Sequence, residues 1–136
     1  NENQIPQIRQ LAKKLKSSLK LKSLQIINKE NIELWLPFNE RFRRYKIKDG
    51  EYAVKNSLTD RCARLWFNPV ITWDGKVIPC CFDKDAQYVM GDLNQESFRE
   101  IWNGPKYRIF RKIILSDRNA VEICRNCTSG LQGVKY

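Results

Sequence analysis

The sequence of 136 residues contains no histidine, and its first 61 positions contain no cysteine. Without histidine, zinc sites that combine cysteine with histidine are excluded. No apolar run approaches the ~18 residues of a membrane-spanning helix, and the first ten residues lack the basic end and apolar run of a signal peptide. These absences predict a cytoplasmic protein without a membrane partner. Because the sequence does not begin with methionine, we interpret it as a piece of a longer protein.

Basic residues outnumber acidic ones by 25 to 15, which gives a net charge of +10. A charge of this size attracts anionic partners, so an anionic substrate is an expectation. The basic residues are spread along the whole chain, and no aromatic signature of RNA binding is present. This distribution argues against nucleic acid as the partner.

The first part of the chain shows the pattern of a helix followed by a strand. Apolar residues recur three or four positions apart over residues 5–20, with Pro6 in the first turn, which predicts an amphipathic helix facing a core. LKSLQII at 21–27 predicts a short strand. We interpret residues 1–27 as the end of an α/β unit and the mixed, polar residues 28–61 as an irregular linker.

The second part predicts a hairpin and two helices. The Asp74-Gly75 pair lies between LWFNPVITW and KVIPCCF, which is a strong hairpin signal, and YVMGDL at 88–93 predicts a further extended piece. Two helices are expected over residues 94–117, the first capped by Asn94 or Ser97 and ended by Gly104. Their predicted core residues are Phe98, Ile101, Trp102, Tyr107, Phe110, Ile113, Ile114 and Leu115. The fold class is therefore α+β.

The five cysteines are the main candidates for chemistry: Cys62, Cys80, Cys81, Cys124 and Cys127. An odd number of clustered cysteines, without a signal peptide, indicates metal or redox chemistry rather than a disulfide scaffold. The Cys-x-x-Cys pair at 124–127 can direct two sulfurs at one centre, and two remote thiols complete a four-sulfur site. Thiolates suit zinc or an iron–sulfur cluster. Only one close pair exists and histidine is absent, which favours iron–sulfur and leaves zinc as the alternative.

Adjacent residues on a strand point to opposite faces of the sheet. We therefore expect Cys80 to reach the site and Cys81 to point away as a small buried hydrophobe. Cys81 remains the alternative ligand.

Four stretches of the sequence, C…NPVITWDGKVIPCCFD…VMGDLNQESFREIWNGPKYRIFRK…CRNC, together resemble the auxiliary-cluster domain of radical S-adenosylmethionine enzymes. This is the SPASM domain or its shorter Twitch form. The family pattern is a cysteine, nine to fifteen residues, a glycine, four residues and another cysteine. Cys62, twelve residues, Gly75, KVIP and Cys80 match it, as do the IWN element and the late Cys-x-x-Cys. The resemblance covers about residues 62–128.

The resemblance implies one [4Fe-4S] cluster held by Cys62, Cys80, Cys124 and Cys127, since no cysteine follows Cys127 and the full pattern has seven. It implies electron transfer to a substrate radical, or architectural support beside an active site. We expect the charge of the cluster to be offset by nearby basic residues: Arg61, Arg64, Arg125 and Lys76.

The radical family's Cys-x-x-x-Cys-x-x-Cys motif is absent from the sequence. S-adenosylmethionine is therefore expected only in a core domain outside it, and the parent is expected to be a radical oxidoreductase or maturase acting on a peptide, sugar or small metabolite. On this interpretation residues 1–27 are a remnant of the radical barrel, 28–61 a bridge and 62–136 the cluster domain, a hairpin followed by helices around four cysteines. The alternative is a four-cysteine structural zinc module that binds protein or nucleic acid.

Overall fold

The computed structural model describes residues 2–26 and 30–128. The chain forms two compact units, an N-terminal unit that contains the residues up to Asn56 and a C-terminal unit, Ser57–Cys127. Both units combine short helices with small antiparallel sheets, so the α+β class is confirmed. Within the described residues, no helix has the length and apolarity required to cross a membrane.

The N-terminal unit begins with helix α1, Ile5–Lys14, which has Pro6 in its first turn. The helix is shorter than the predicted 5–20, and none of its residues is buried. Leu11 is 55% exposed and Leu15 is 62% exposed, so the expectation that this apolar stripe faces a core is wrong.

Residues 21–26 form no strand, so the strand predicted over 21–27 is wrong at these positions, and residue 27 lies outside the described residues. The Tyr45 hydroxyl provides the physical reason. It accepts a hydrogen bond from the Ile26 amide at 2.9 Å and donates one to the Ile26 carbonyl at 3.2 Å. A side chain therefore takes the place that a partner strand would fill. The helix–strand remnant of an α/β barrel is not confirmed.

A hairpin that the sequence analysis missed lies within residues 28–61. Strands β1, Tyr45–Lys48, and β2, Glu51–Val54, pair antiparallel around a two-residue turn. Both turn residues have positive φ, 52° at Asp49 and 80° at Gly50, as a type I′ turn requires. Tyr45, which is 1% exposed, packs with Ile26 and Ile32 in the small core of this unit.

The C-terminal unit contains a three-stranded antiparallel sheet in the order β3-β4-β5. Its strands are β3, Val70–Ile71; β4, Lys76–Ile78; and β5, Gly91–Asp92. The predicted hairpin is confirmed, with Gly75 at φ 84° closing its turn. The residues expected to begin its first strand instead form a helical turn, α2, Arg64–Phe67.

Three helices follow the sheet: α3, Phe98–Asn103; α4, Pro105–Ser116; and α5, Glu122–Arg125. Ser97 caps α3, because its hydroxyl accepts from the Glu100 amide while the Glu100 carboxylate accepts from the Ser97 amide. The Asn94 side chain instead donates to the Asp74 carbonyl at 3.0 Å and so supports the hairpin turn.

The core of the C-terminal unit lies between the sheet and these helices. Its buried members are Leu65, Val77, Met90, Ile101, Tyr107, Phe110, Ile114, Val121 and Cys124. The prediction that Phe98, Ile113 and Leu115 face the core is wrong, because these residues are 40%, 39% and 53% exposed, respectively.

Arg111 on α4 ties α2 to α3. Its Nε donates to the Leu65 carbonyl at 3.2 Å and its Nη1 donates to the Trp102 carbonyl at 3.0 Å. The guanidinium carbon lies 4.4 Å from the Trp102 ring centre and 4.7 Å from that of Tyr107, within the range of cation–π contacts. This arrangement fixes the helical turn that follows Cys62.

Candidate metal centre

Four thiols line one cavity in the C-terminal unit: Cys62, Cys80, Cys124 and Cys127. They come from three segments that are remote in sequence, namely the residues before α2, the residues after β4, and α5 with its following turn. All five cysteines of the chain are free thiols. The cavity walls are completed by apolar side chains and two arginines: Leu65, Phe82, Phe110, Ile123, Arg64 and Arg118.

Local hydrogen bonds place each of these cysteines. The Cys62 carbonyl accepts from the Leu65 amide at 3.2 Å in the first turn of α2. The Cys80 carbonyl accepts from the Asp83 amide at 3.1 Å, which turns the chain sharply after β4. The Cys127 amide donates to the Cys124 carbonyl at 3.1 Å, so one turn directs both thiols of the Cys-x-x-Cys pair into the cavity.

Asp83 supports the turn that carries Cys80. Its carboxylate is 1% exposed and accepts from the backbone amides of Gln87 and Tyr88 at 2.8 and 2.9 Å. Two charge-assisted bonds to backbone amides compensate for burying this carboxylate. The loop after Cys80 is thereby folded back toward β5.

Burial of the thiols changes their acidity. Burial raises the pKa of Cys124 to about 12, while the positive charge of Arg118 acts in the opposite direction. Burial also raises the pKa of Cys80, opposed by a hydrogen bond from the Phe82 backbone. Metal binding requires thiolates, so a cationic centre has to displace these protons. The raised pKa values therefore mean that binding of a centre at these thiols releases protons.

Arg118 is a site residue that the sequence analysis missed. Its side chain is buried, with the residue 2% exposed, and it lines the same cavity as the thiols. Its Nη1 donates to the carbonyls of Thr59 and Arg61, each at 3.3 Å. Its backbone amide donates to the Asp60 carboxylate at 2.9 Å. Arg118 thus joins the segment that leads into Cys62 to the segment that leads into Cys124.

Of the four basic residues named from the sequence, one lies on the cavity wall and the other three lie elsewhere. Arg64 lines the cavity, but Lys76 forms an ion pair with Asp74 at 2.7 Å in the hairpin turn. Hydrogen bonds from Lys76 and Thr72 hold the pKa of Asp74 below its ordinary value. The Arg125 Nε donates to the Asn119 carbonyl at 2.7 Å. Arg61 is exposed and does not line the cavity.

Cys81 lies outside this cavity and is exposed, so its predicted burial is wrong. The reason is that β4 ends at Ile78 and the chain turns at once, so strand alternation no longer decides where Cys81 points. The Arg64 Nη1 donates to the Cys81 sulfur at 3.5 Å.

The donor set fits an iron–sulfur cluster by its chemistry. Four thiols share the cavity with apolar walls, and Arg118 Nε is a buried donor without an acceptor in the part of the chain that the structure describes. The enclosed space is about 10 Å³, room for one water molecule. An iron–sulfur core is larger, so the thiols have to move outward to hold it.

A ready-made site for one metal ion is not present among residues 2–26 and 30–128, where no group of three or more Cys, Asp or Glu side chains is arranged to hold one. Tetrahedral zinc needs four ligands around one centre, with sulfurs at about 2.3 Å. The four thiols would therefore have to move to hold zinc, as they would to hold a cluster.

Comparison with known proteins identifies the class of this domain. A family model of iron–sulfur cluster-binding domains, SPASM, matches residues 62–128. This segment of the chain therefore belongs to the SPASM family.

A relative is the S-adenosyl-L-methionine-dependent 2-deoxy-scyllo-inosamine dehydrogenase of Niallia circulans, which is 33% identical over 61 residues. That alignment covers 44% of this chain and 24% of the relative, so the match spans about a quarter of the relative's length. No solved structure shows significant similarity to the chain.

Proposed function

We propose that the C-terminal unit binds one [4Fe-4S] cluster through Cys62, Cys80, Cys124 and Cys127. The proposal is carried by one observation, that these four thiols from three remote segments line a single cavity within a SPASM domain. Four sulfur ligands for four irons leave no iron position open to a substrate. The cluster would therefore act as a one-electron carrier or as a structural support.

The surrounding residues suit both roles. Leu65, Phe82 and Phe110 line the cavity with apolar surface, which keeps water from the sulfurs. Solvent exposure and hydrogen bonds to sulfur are two of the factors that set the potential of such clusters. A four-ligand centre also joins three segments of a small unit, which stabilises a domain whose own core is limited.

We further propose that the parent protein is a radical S-adenosylmethionine enzyme whose core domain is the partner of this chain. The name of the relative describes a dehydrogenase that depends on S-adenosyl-L-methionine, which supports an oxidoreductase over a maturase. The core motif Cys-x-x-x-Cys-x-x-Cys is absent from this sequence, so S-adenosylmethionine would bind elsewhere in that protein. Its substrate would be a sugar-like or peptide compound. Five free thiols suit a reducing compartment such as the cytoplasm.

Single Cys→Ser substitutions test the ligand assignment. The chain is reconstituted anaerobically with iron and sulfide, and bound iron is measured for Cys62→Ser, Cys80→Ser, Cys124→Ser and Cys127→Ser. Each variant is expected to lose most of its iron, because serine oxygen is a poor replacement for thiolate at iron.

Cys81→Ser is the matched control, since it removes an adjacent thiol that does not line the cavity. It is expected to retain iron as the wild type does. Equal losses in Cys80→Ser and Cys81→Ser would overturn the assignment, and a colourless chain with one tightly bound zinc would support the structural zinc module instead.

A further inference from the structure

Arg118 is a buried cation without a buried anion to match it. It is 2% exposed, and within the described part of the chain no carboxylate forms an ion pair with its guanidinium. Burying an uncompensated charge is costly, so a buried arginine normally has an anionic or strongly polar partner. The other walls of the cavity that Arg118 lines are four thiols, apolar side chains and the exposed Arg64.

The hydrogen bonds of Arg118 do not use all of its buried donors. Nη1 donates to the carbonyls of Thr59 and Arg61. Nε is buried and has no acceptor among residues 2–26 and 30–128. A buried donor that lacks an acceptor is unfavourable, and this one belongs to a side chain on the wall of the thiol cavity.

We infer that Arg118 donates its Nε–H to a sulfur of the cluster or of a cysteine ligand, an inference that rests on the cluster binding proposed above. Its positive charge offsets part of the negative charge that four thiolates bring to the site. The same guanidinium holds the backbone that leads into Cys62, through Thr59 and Arg61. Arg118 therefore orders one ligand segment and raises the reduction potential of the cluster.

Two other arginines near the cysteines are less suited to this role. Arg64 lines the cavity, but it is exposed and its Nη1 donates to Cys81 outside the cavity. Arg125 adjoins Cys124, but it is exposed and its Nε is already bonded to the Asn119 carbonyl. Arg125 is consequently a good control for loss of charge alone.

The first test is a redox titration of the reconstituted 136-residue chain, followed by electron paramagnetic resonance. Arg118→Gln is expected to disfavour the reduced cluster by about tenfold, which corresponds to about 59 mV for a one-electron couple. Arg125→Gln removes the same charge from the surface and is expected to give a much smaller shift, because solvent screens it. Equal shifts in the two variants would contradict a direct bond from Arg118.

A second measurement does not depend on the stability of the Gln variant. The wild-type chain is prepared with arginine labelled with ¹⁵N at Nε, and the reduced cluster is examined by pulsed electron paramagnetic resonance. We expect a weak ¹⁵N coupling that persists in Arg64→Lys and disappears in Arg118→Lys.

The outcomes separate the two proposals. A wild-type chain that takes up no cluster refutes the proposed function and with it this inference. A cluster that forms normally without ¹⁵N coupling refutes the role of Arg118 alone.

Discussion

Gly91 on β5 is predicted to be intolerant of any side chain, because the buried Ile101 occupies the space beside it. A Cβ added at Gly91 would lie 2.5 Å from Ile101 Cγ1 and 2.9 Å from both Cδ1 and Cγ2. Ile101 is 2% exposed and packed in the core of the C-terminal unit, so it has little room to move. Overpacking of this kind costs about 1–3 kcal/mol, and three close contacts place Gly91→Ala near the upper end.

The lower flexibility of alanine in the unfolded chain offsets about 0.4–1 kcal/mol of this cost. We therefore expect Gly91→Ala to lower the free energy of unfolding by about 2 kcal/mol. The loss is measured by urea unfolding of the reduced, metal-free chain, followed by circular dichroism. The urea concentration at the midpoint should fall, while the slope of the unfolding free energy against urea concentration stays unchanged.

A double-mutant cycle with Ile101 identifies the cause. Ile101→Ala removes all three of the atoms that the new methyl group would meet, although alone it costs about 2–5 kcal/mol through the cavity that it leaves. In the Gly91→Ala background it should cost at least about 1 kcal/mol less, because the new methyl group fills part of that cavity. The packing explanation would be refuted if the two substitutions had additive effects on the free energy of unfolding. It would also be refuted if Gly91→Ala changed that free energy by less than about 0.5 kcal/mol.

Two further predictions concern the elements around the sheet. Tyr107→Phe removes the buried hydrogen bond from the tyrosine hydroxyl to the Ile78 carbonyl at 3.3 Å, and it should cost about 1–2 kcal/mol in urea unfolding; an unchanged midpoint would contradict it. Ser97→Ala removes the cap of α3 and should cost about 1 kcal/mol. Hydrogen bonds from Ser97 lower the pKa of Glu100 from 4.5. The stabilisation that ionised Glu100 contributes through these bonds is therefore complete above pH 4.5, and it is lost as the pH falls through the lower pKa of the folded state. The stability difference between wild type and Ser97→Ala should shrink in that acidic range, and a constant difference would count against the capping box.

The features that the sequence predicts correctly depend on residues close together in the chain. The Asp74-Gly75 pair specifies the hairpin because a glycine at φ 84° is needed where its turn closes. Ser97 and Glu100 form a capping box within three residues. The same local signal was present at Asp49-Gly50, but the β1–β2 hairpin was missed because each strand has only four residues and β1 carries two lysines.

The features that could not be predicted depend on tertiary structure. Arg118 follows no motif, and its importance arises only when folding brings the Thr59 and Arg61 carbonyls beside it. The sequence LKSLQI at 21–26 predicts a strand, but the Tyr45 hydroxyl pairs with the backbone of Ile26 and no strand forms. The exposure of Cys81 likewise follows from the end of β4 at Ile78, which local alternation does not reveal.

Mössbauer spectroscopy of the wild-type chain, reconstituted anaerobically with ⁵⁷Fe and sulfide, tests the shared thiol site most directly. We predict about four irons per chain, all in one [4Fe-4S] cluster with every iron bound by sulfur. A chain that binds no iron specifically, or whose iron sites lack sulfur ligation, would contradict a cluster held by Cys62, Cys80, Cys124 and Cys127.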